Sequence, residues 1–175
     1  MNYLDYINIA LEGAEYHEGR AFLLETKDAE YDKVPLYIRA YFWELLSIWD
    51  YILQQANIQT LNKSPDQVRG DFITEIENKV PQYKYIAALK TIRDDPRMKK
   101  IKFVRNYAHK WQYNPVRFMA SIGEHPTEAK DVVAIALDNS DKKEKNLPHQ
   151  ISIDRSDLSF MKDSIKFLFD QDFFN

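Results

Sequence analysis

The chain has no cysteine, so disulfides, thiol chemistry and cysteine-type zinc sites are all excluded. It has four histidines, His17, His109, His125 and His149, and no two are spaced as metal ligands. His17-Glu18 lacks the second histidine of a zincin helix. Glu-x-x-His pairs of the kind that build metal sites inside helical bundles are also missing. No cofactor is therefore expected. Only 4 glycines occur in 175 residues, and none forms a phosphate-binding loop. No apolar run reaches the roughly 18–20 residues that a membrane-spanning helix needs. Asp5, with no early basic cluster, argues against a signal peptide, and the expected location is the cytoplasm.

What is present is an ordinary globular balance, 45% hydrophobic and 29% charged residues. The length suits one domain over 1–175 with a core of its own. Net charge is −3, which by itself disfavours nucleic acid. The distribution reverses that. Between residues 93 and 117 lie Arg93, Arg97, Lys99, Lys100, Lys102, Arg105, Lys110 and Arg117, opposed there only by Asp94 and Asp95. A basic stripe on an acidic chain is the pattern of a phosphate-binding face, and also of a solvated, ion-paired helix.

The periodicity predicts a mainly α fold, an up-and-down bundle over about 2–112. Tyr3, Ile7, Ala10, Leu11 and Ala14 mark a helix over 2–26. Pro35 opens a second helix, 35–57, that is apolar almost all round, which places it centrally. Asp50 is one of its few charges and is expected as an exposed or ion-paired edge residue. Ser64-Pro65 signals a helix start with Ser64 as N-cap, running to about Lys79. Pro81 then interrupts, and a further helix covers about 83–94. Asp95-Pro96 starts the helix 97–112, and Asn114-Pro115 ends it. DVVAIALD (131–138) and HQISID (149–154) read as strands of one C-terminal β-hairpin, about 131–154. Ser156 caps a last helix, about 157–170, closing the chain over 156–170.

The helix RMKKIKFVRNYAHKWQ carries the candidate chemistry. At 100° per residue, Ile101, Val104, Ala108 and Trp111 share an apolar face. Arg105 and His109, four apart, lie on its rim, with Lys102 and Asn106 further round the same flank. An Arg offers a permanent cation, and a His titrates near neutrality. Together they suit RNA cleavage, because RNA supplies its own 2′-hydroxyl nucleophile. The His moves protons, and the Arg stabilises charge on the phosphate oxygens. A single His cannot readily serve as both acid and base, and a two-fold dimer would bring a second copy to the cleft.

The stretch Lys102-Phe-Val-Arg105-Asn106-Tyr-Ala-His109 resembles the signature helix of the HEPN superfamily. That resemblance implies a small, commonly dimeric, helical domain acting as a metal-independent ribonuclease of toxin–antitoxin or phage-defence systems. It assigns Arg105, Asn106 and His109 as catalytic, and Lys99, Lys102 and Lys110 as RNA-binding. Asp50 takes the place of a supporting polar residue on an earlier helix. The implied partners are RNA, a second copy of the chain, and an antitoxin or nucleotidyltransferase-like protein, with no membrane. The Arg–His spacing here is shorter than the family's usual one. The alternative reading is a non-catalytic dimeric helical module that binds RNA or a partner protein.

Overall fold

The computed structural model describes residues 3–22, 33–69, 71–108, 114–118, 134–138 and 150–174. The protein is mainly helical. Helix α1 (Tyr3–Phe22) packs along helix α2 (Val34–Gln59). They run antiparallel: Tyr6 near the start of α1 stacks on Tyr51 late in α2, with ring centroids 5.3 Å apart. At the other end, His17 lies 6.2 Å from the Tyr37 ring. Gly13 is the closest approach. A Cβ there would come within 3.1 Å of Glu44 Cδ, so the absence of a side chain lets the helices close.

Helix α2 is central, as its all-round apolarity requires. Ile38, Tyr41, Phe42, Leu45, Ile48, Trp49, Ile52 and Ala56 are all buried. Its polar end is closed by Asn57, whose amide donates to Lys63 O at 2.8 Å and accepts from Lys63 N at 2.9 Å. The bend beyond it needs a left-handed residue, and Asn62 supplies it at φ 46°.

The helix expected from Ser64 to Lys79 is instead two pieces. Pro65–Gln67 is a single 3₁₀ turn, and α3 is Phe72–Lys79. Ser64 makes no cap to the backbone. Its hydroxyl turns to the Asp66 carboxylate, so the helix-start signal is spent on a local turn. Helix α4 (Ile86–Asp94) comes next, with Ala88, Leu89 and Ile92 buried. Helix α5 is Pro96–Phe103, and here the expected cap is real: the Asp95 side chain accepts from Arg97 N at 2.8 Å.

Helix α5 does not continue as an α-helix to 112. From Val104 to Ala108 the backbone is a π turn. The 100° wheel therefore stops applying at Val104, one residue before Arg105. Asn114-Pro115 does not simply end a helix either. It opens strand β1 (Asn114–Phe118), which pairs antiparallel with β2 (Ala134–Asp138), itself antiparallel to β3 (Gln150–Asp154). The expectation of a two-stranded C-terminal hairpin is corrected accordingly. The sheet is three-stranded, in the order β1-β2-β3, and its first strand comes shortly after the signature segment. The rest of 131–154 lies outside the described residues.

Helix α6 (Ser156–Phe169) begins one residue earlier than a Ser156 cap would allow, with Arg155 at the cap position. It packs on α1, α2 and α5. A left-handed Asp172, φ 58°, turns Phe173 inward, fully buried and 5.0 Å from the Tyr85 ring. Gln59 Nε2 donates to Phe173 O at 2.6 Å, and Tyr85 Oη donates to Asp172 O at 2.8 Å. The last residues are thus pinned across α2 and the start of α4.

Candidate functional site

The central helix leaves one line of positions uncovered. Leu36, Trp43 and Asp50 recur every seven residues, and each is exposed. The end of α5 and the π turn pass alongside this line. Lys102 Nζ lies 5.1 Å from the centroid of Trp49, and Arg105 Cζ lies 4.8 Å from that of Trp43. Moving from 102 to 105 moves backward from 49 to 43, so the two segments run in opposite directions. Arg105 Nη1 donates to the Asn106 carboxamide at 2.9 Å, which holds the guanidinium over the indole.

Asp50 stands among these groups. Although the residue reaches solvent, the surrounding protein desolvates its carboxyl and pushes its pKa up; the charges of Arg105 and then Lys102 pull it back down. Lys102 shifts the opposite way. Desolvation and the nearby Arg93 lower its pKa, while Asp50, Asp94 and Asp71 oppose that shift. Both groups are thus pushed toward neutrality by burial that the opposite charges only partly offset. Groups perturbed in this manner concentrate at functional sites, although structural ion pairs share the property.

The structure also sorts the basic stripe. Arg93 is bidentate to Asp94, at 2.9 and 3.0 Å, and reaches Asp71 at 3.1 Å. Arg97 is bidentate to Asp95 and lies 4.5 Å over the Phe160 ring. Lys100 Nζ sits 2.8 Å from the fully buried carboxylate of Asp157. These three bases serve the fold. Lys99 is exposed and acts electrostatically on Asp94, away from the Arg105 group. Of the RNA-binding candidates, only Lys102 is brought beside Arg105 among the described residues. His109 and Lys110 lie outside the described residues.

Asp50 is the edge residue that the sequence predicts, yet it also faces the signature helix. Trp43 escapes sequence reasoning. A tryptophan in an apolar run reads as core, but this one is 45% exposed. The signal is its position seven residues before Asp50, on the single polar line of an otherwise buried helix.

No model of a protein family matches the chain, and no curated protein or solved structure does either. Among the described residues, no three of His, Asp or Glu converge as a set that could hold a metal ion, and no helix is long and apolar enough to cross a membrane.

Proposed function

We propose that the chain is a HEPN-type endoribonuclease whose site is built from Arg105, Asn106 and His109, with Lys102 and Asp50 beside them. The observation that carries this reading is the convergence of Asp50, Lys102 and Arg105 at the start of a π turn, within the motif Arg105-Asn106-x-x-His109. Single π turns are frequent at functional sites because they re-aim side chains. Keeping two desolvated, opposite charges at a partly open surface costs stability, which argues for a use beyond folding.

In this reading Lys102 and Arg105 hold the scissile phosphate. The 2′-oxygen attacks phosphorus and the bond to the 5′-oxygen breaks, leaving a 2′,3′-cyclic phosphate and a 5′-hydroxyl. His109 takes the 2′ proton or donates one to the leaving oxygen. A second copy of the chain supplies the other role across a two-fold axis. Asn106 positions Arg105 through their hydrogen bond. RNA is the substrate, and an antitoxin or nucleotidyltransferase-like protein is the proposed regulating partner.

The test is incubation of the purified protein with RNA in the presence of chelator. Cleavage is expected, and it should fall by roughly 10²–10⁴-fold in His109→Ala. Equal cleavage by the wild-type and His109→Ala proteins would overturn the reading. One observation favours a second, non-catalytic reading: Arg105 is already engaged by Trp43 and Asn106. Stoichiometric RNA or protein binding without cleavage would select it.

A further inference from the structure

The exposed indole of Trp43 is unusual for its place. It sits on the central helix, where other aromatic rings such as Tyr41, Phe42 and Trp49 are buried. Its neighbour is a flat cation, the Arg105 guanidinium, 4.8 Å from its centroid. Asn106 fixes that guanidinium from the side. Lys102 and Arg105 put positive charge within the same few residues, where a phosphate is attracted. An aromatic face beside cations is the recurring arrangement of single-strand recognition: the bases stack on rings and guanidinium planes while the charges track the backbone. Bases inside a duplex are already stacked and offer no free face to such a platform.

We propose that Trp43 and Arg105 form a stacking platform for an unpaired base of single-stranded RNA, seated beside the phosphate held by Arg105 and Lys102. This rests on the ribonuclease reading of the same site and deepens it: the substrate is single-stranded at the cut, and the base next to the scissile phosphate is gripped by its face. Such a grip tolerates any base, so preference follows stacking strength, purines over pyrimidines. Arg105 then has two tasks, carrying charge to the phosphate and extending the ring surface.

Binding of a short 2′-O-methyl RNA strand tests this, because the strand cannot be cut. It is compared with an abasic strand of the same length, which keeps the phosphates and lacks the bases. Trp43→Leu should weaken the base-bearing strand by about 5- to 150-fold, the range for loss of one stacked base, and leave the abasic strand nearly unchanged. Trp43→Phe, which keeps a ring, should restore most of the loss. Equal weakening of both strands would overturn the platform, since Trp43 would then only prop up Arg105. So would unchanged binding of both. A change in self-association with strand affinity intact would make the indole a protein contact and also overturn it. If unmodified RNA survives while the methylated strand binds in a Trp43-dependent manner, the platform stands and the cleavage reading falls. If RNA is cut but binding ignores Trp43, the reverse holds.

Discussion

Lys100→Met is the sharpest perturbation for separating the bases that fold the protein from those that serve the site. Lys100 Nζ lies 2.8 Å from the Asp157 carboxylate, which has no exposed surface. At that distance, with an effective dielectric of about 20, the attraction is about 6 kcal/mol before desolvation is counted. Removing one member of a buried pair leaves the other charge with most of its desolvation cost, typically about 3–5 kcal/mol. Asp157 also sits in the first turn of α6, where the helix dipole favours a negative charge, so the lower end of that range applies. A loss near 3 kcal/mol should lower Tm by roughly 6–12 °C for a chain of this size. Thermal and urea unfolding of the variant measure it. The double variant Lys100→Met with Asp157→Leu should recover most of the loss, because no charge is then stranded. RNA affinity of the folded Lys100→Met protein should stay close to wild type. A destabilisation under about 1 kcal/mol would refute the burial argument. A large loss of RNA affinity at temperatures where the variant is folded would refute the sorting of the stripe.

Other outcomes rest on the same geometry. Lys102→Met should behave oppositely to Lys100→Met: its pKa is lowered, so the folded state disfavours its charge, and the variant should be at least as stable at neutral pH while binding RNA more weakly. Asp50 has a raised pKa, so its contribution to stability is fully present below the unfolded carboxylate pKa and is lost as pH rises through the folded value. Asp50→Asn should therefore gain stability relative to wild type near neutral pH and show no gain in acid below the carboxylate range, as read by paired urea titrations. Gly13→Ala should raise stability by about 0.5 kcal/mol, because helix propensity gains about 1 kcal/mol and Glu44 must swing aside from a contact of 3.1 Å. A loss of more than about 1 kcal/mol would mean that the α1–α2 spacing cannot yield.

Much of the bundle is legible in the sequence because its signals are periodic. The all-round apolarity of α2 announces its central place, and Asp95-Pro96 announces the start of α5 together with its cap. The signals that mislead are those that local chemistry can satisfy in more than one way. Ser64 turns to Asp66 instead of the helix backbone, and Arg155 rather than Ser156 stands at the start of α6. The π turn is invisible because a helical wheel assumes constant rotation, and the apolar face of Ile101 and Val104 looks the same either way until the backbone is known. Strand β1 is hidden by Asn114-Pro115, a pair that marks the end of a helix without naming the element after it. At the site, the bases are countable in the sequence but their partners are not. Asp71 and Asp157 lie far along the chain from Arg93 and Lys100, so only folding shows which positive charges are already matched. That sorting leaves Lys102 and Arg105 beside Asp50 and Trp43.

The central claim is that this group cuts RNA through the 2′-hydroxyl. Its most direct test is one single-stranded RNA presented in two forms, all-ribose and with a single 2′-deoxy nucleotide at the mapped cut, with product ends read by mass. The account predicts a 2′,3′-cyclic phosphate and a 5′-hydroxyl from the first form, and no cleavage at the deoxy position in the second. Cutting at the deoxy position, or a product carrying a 5′-phosphate, would contradict it.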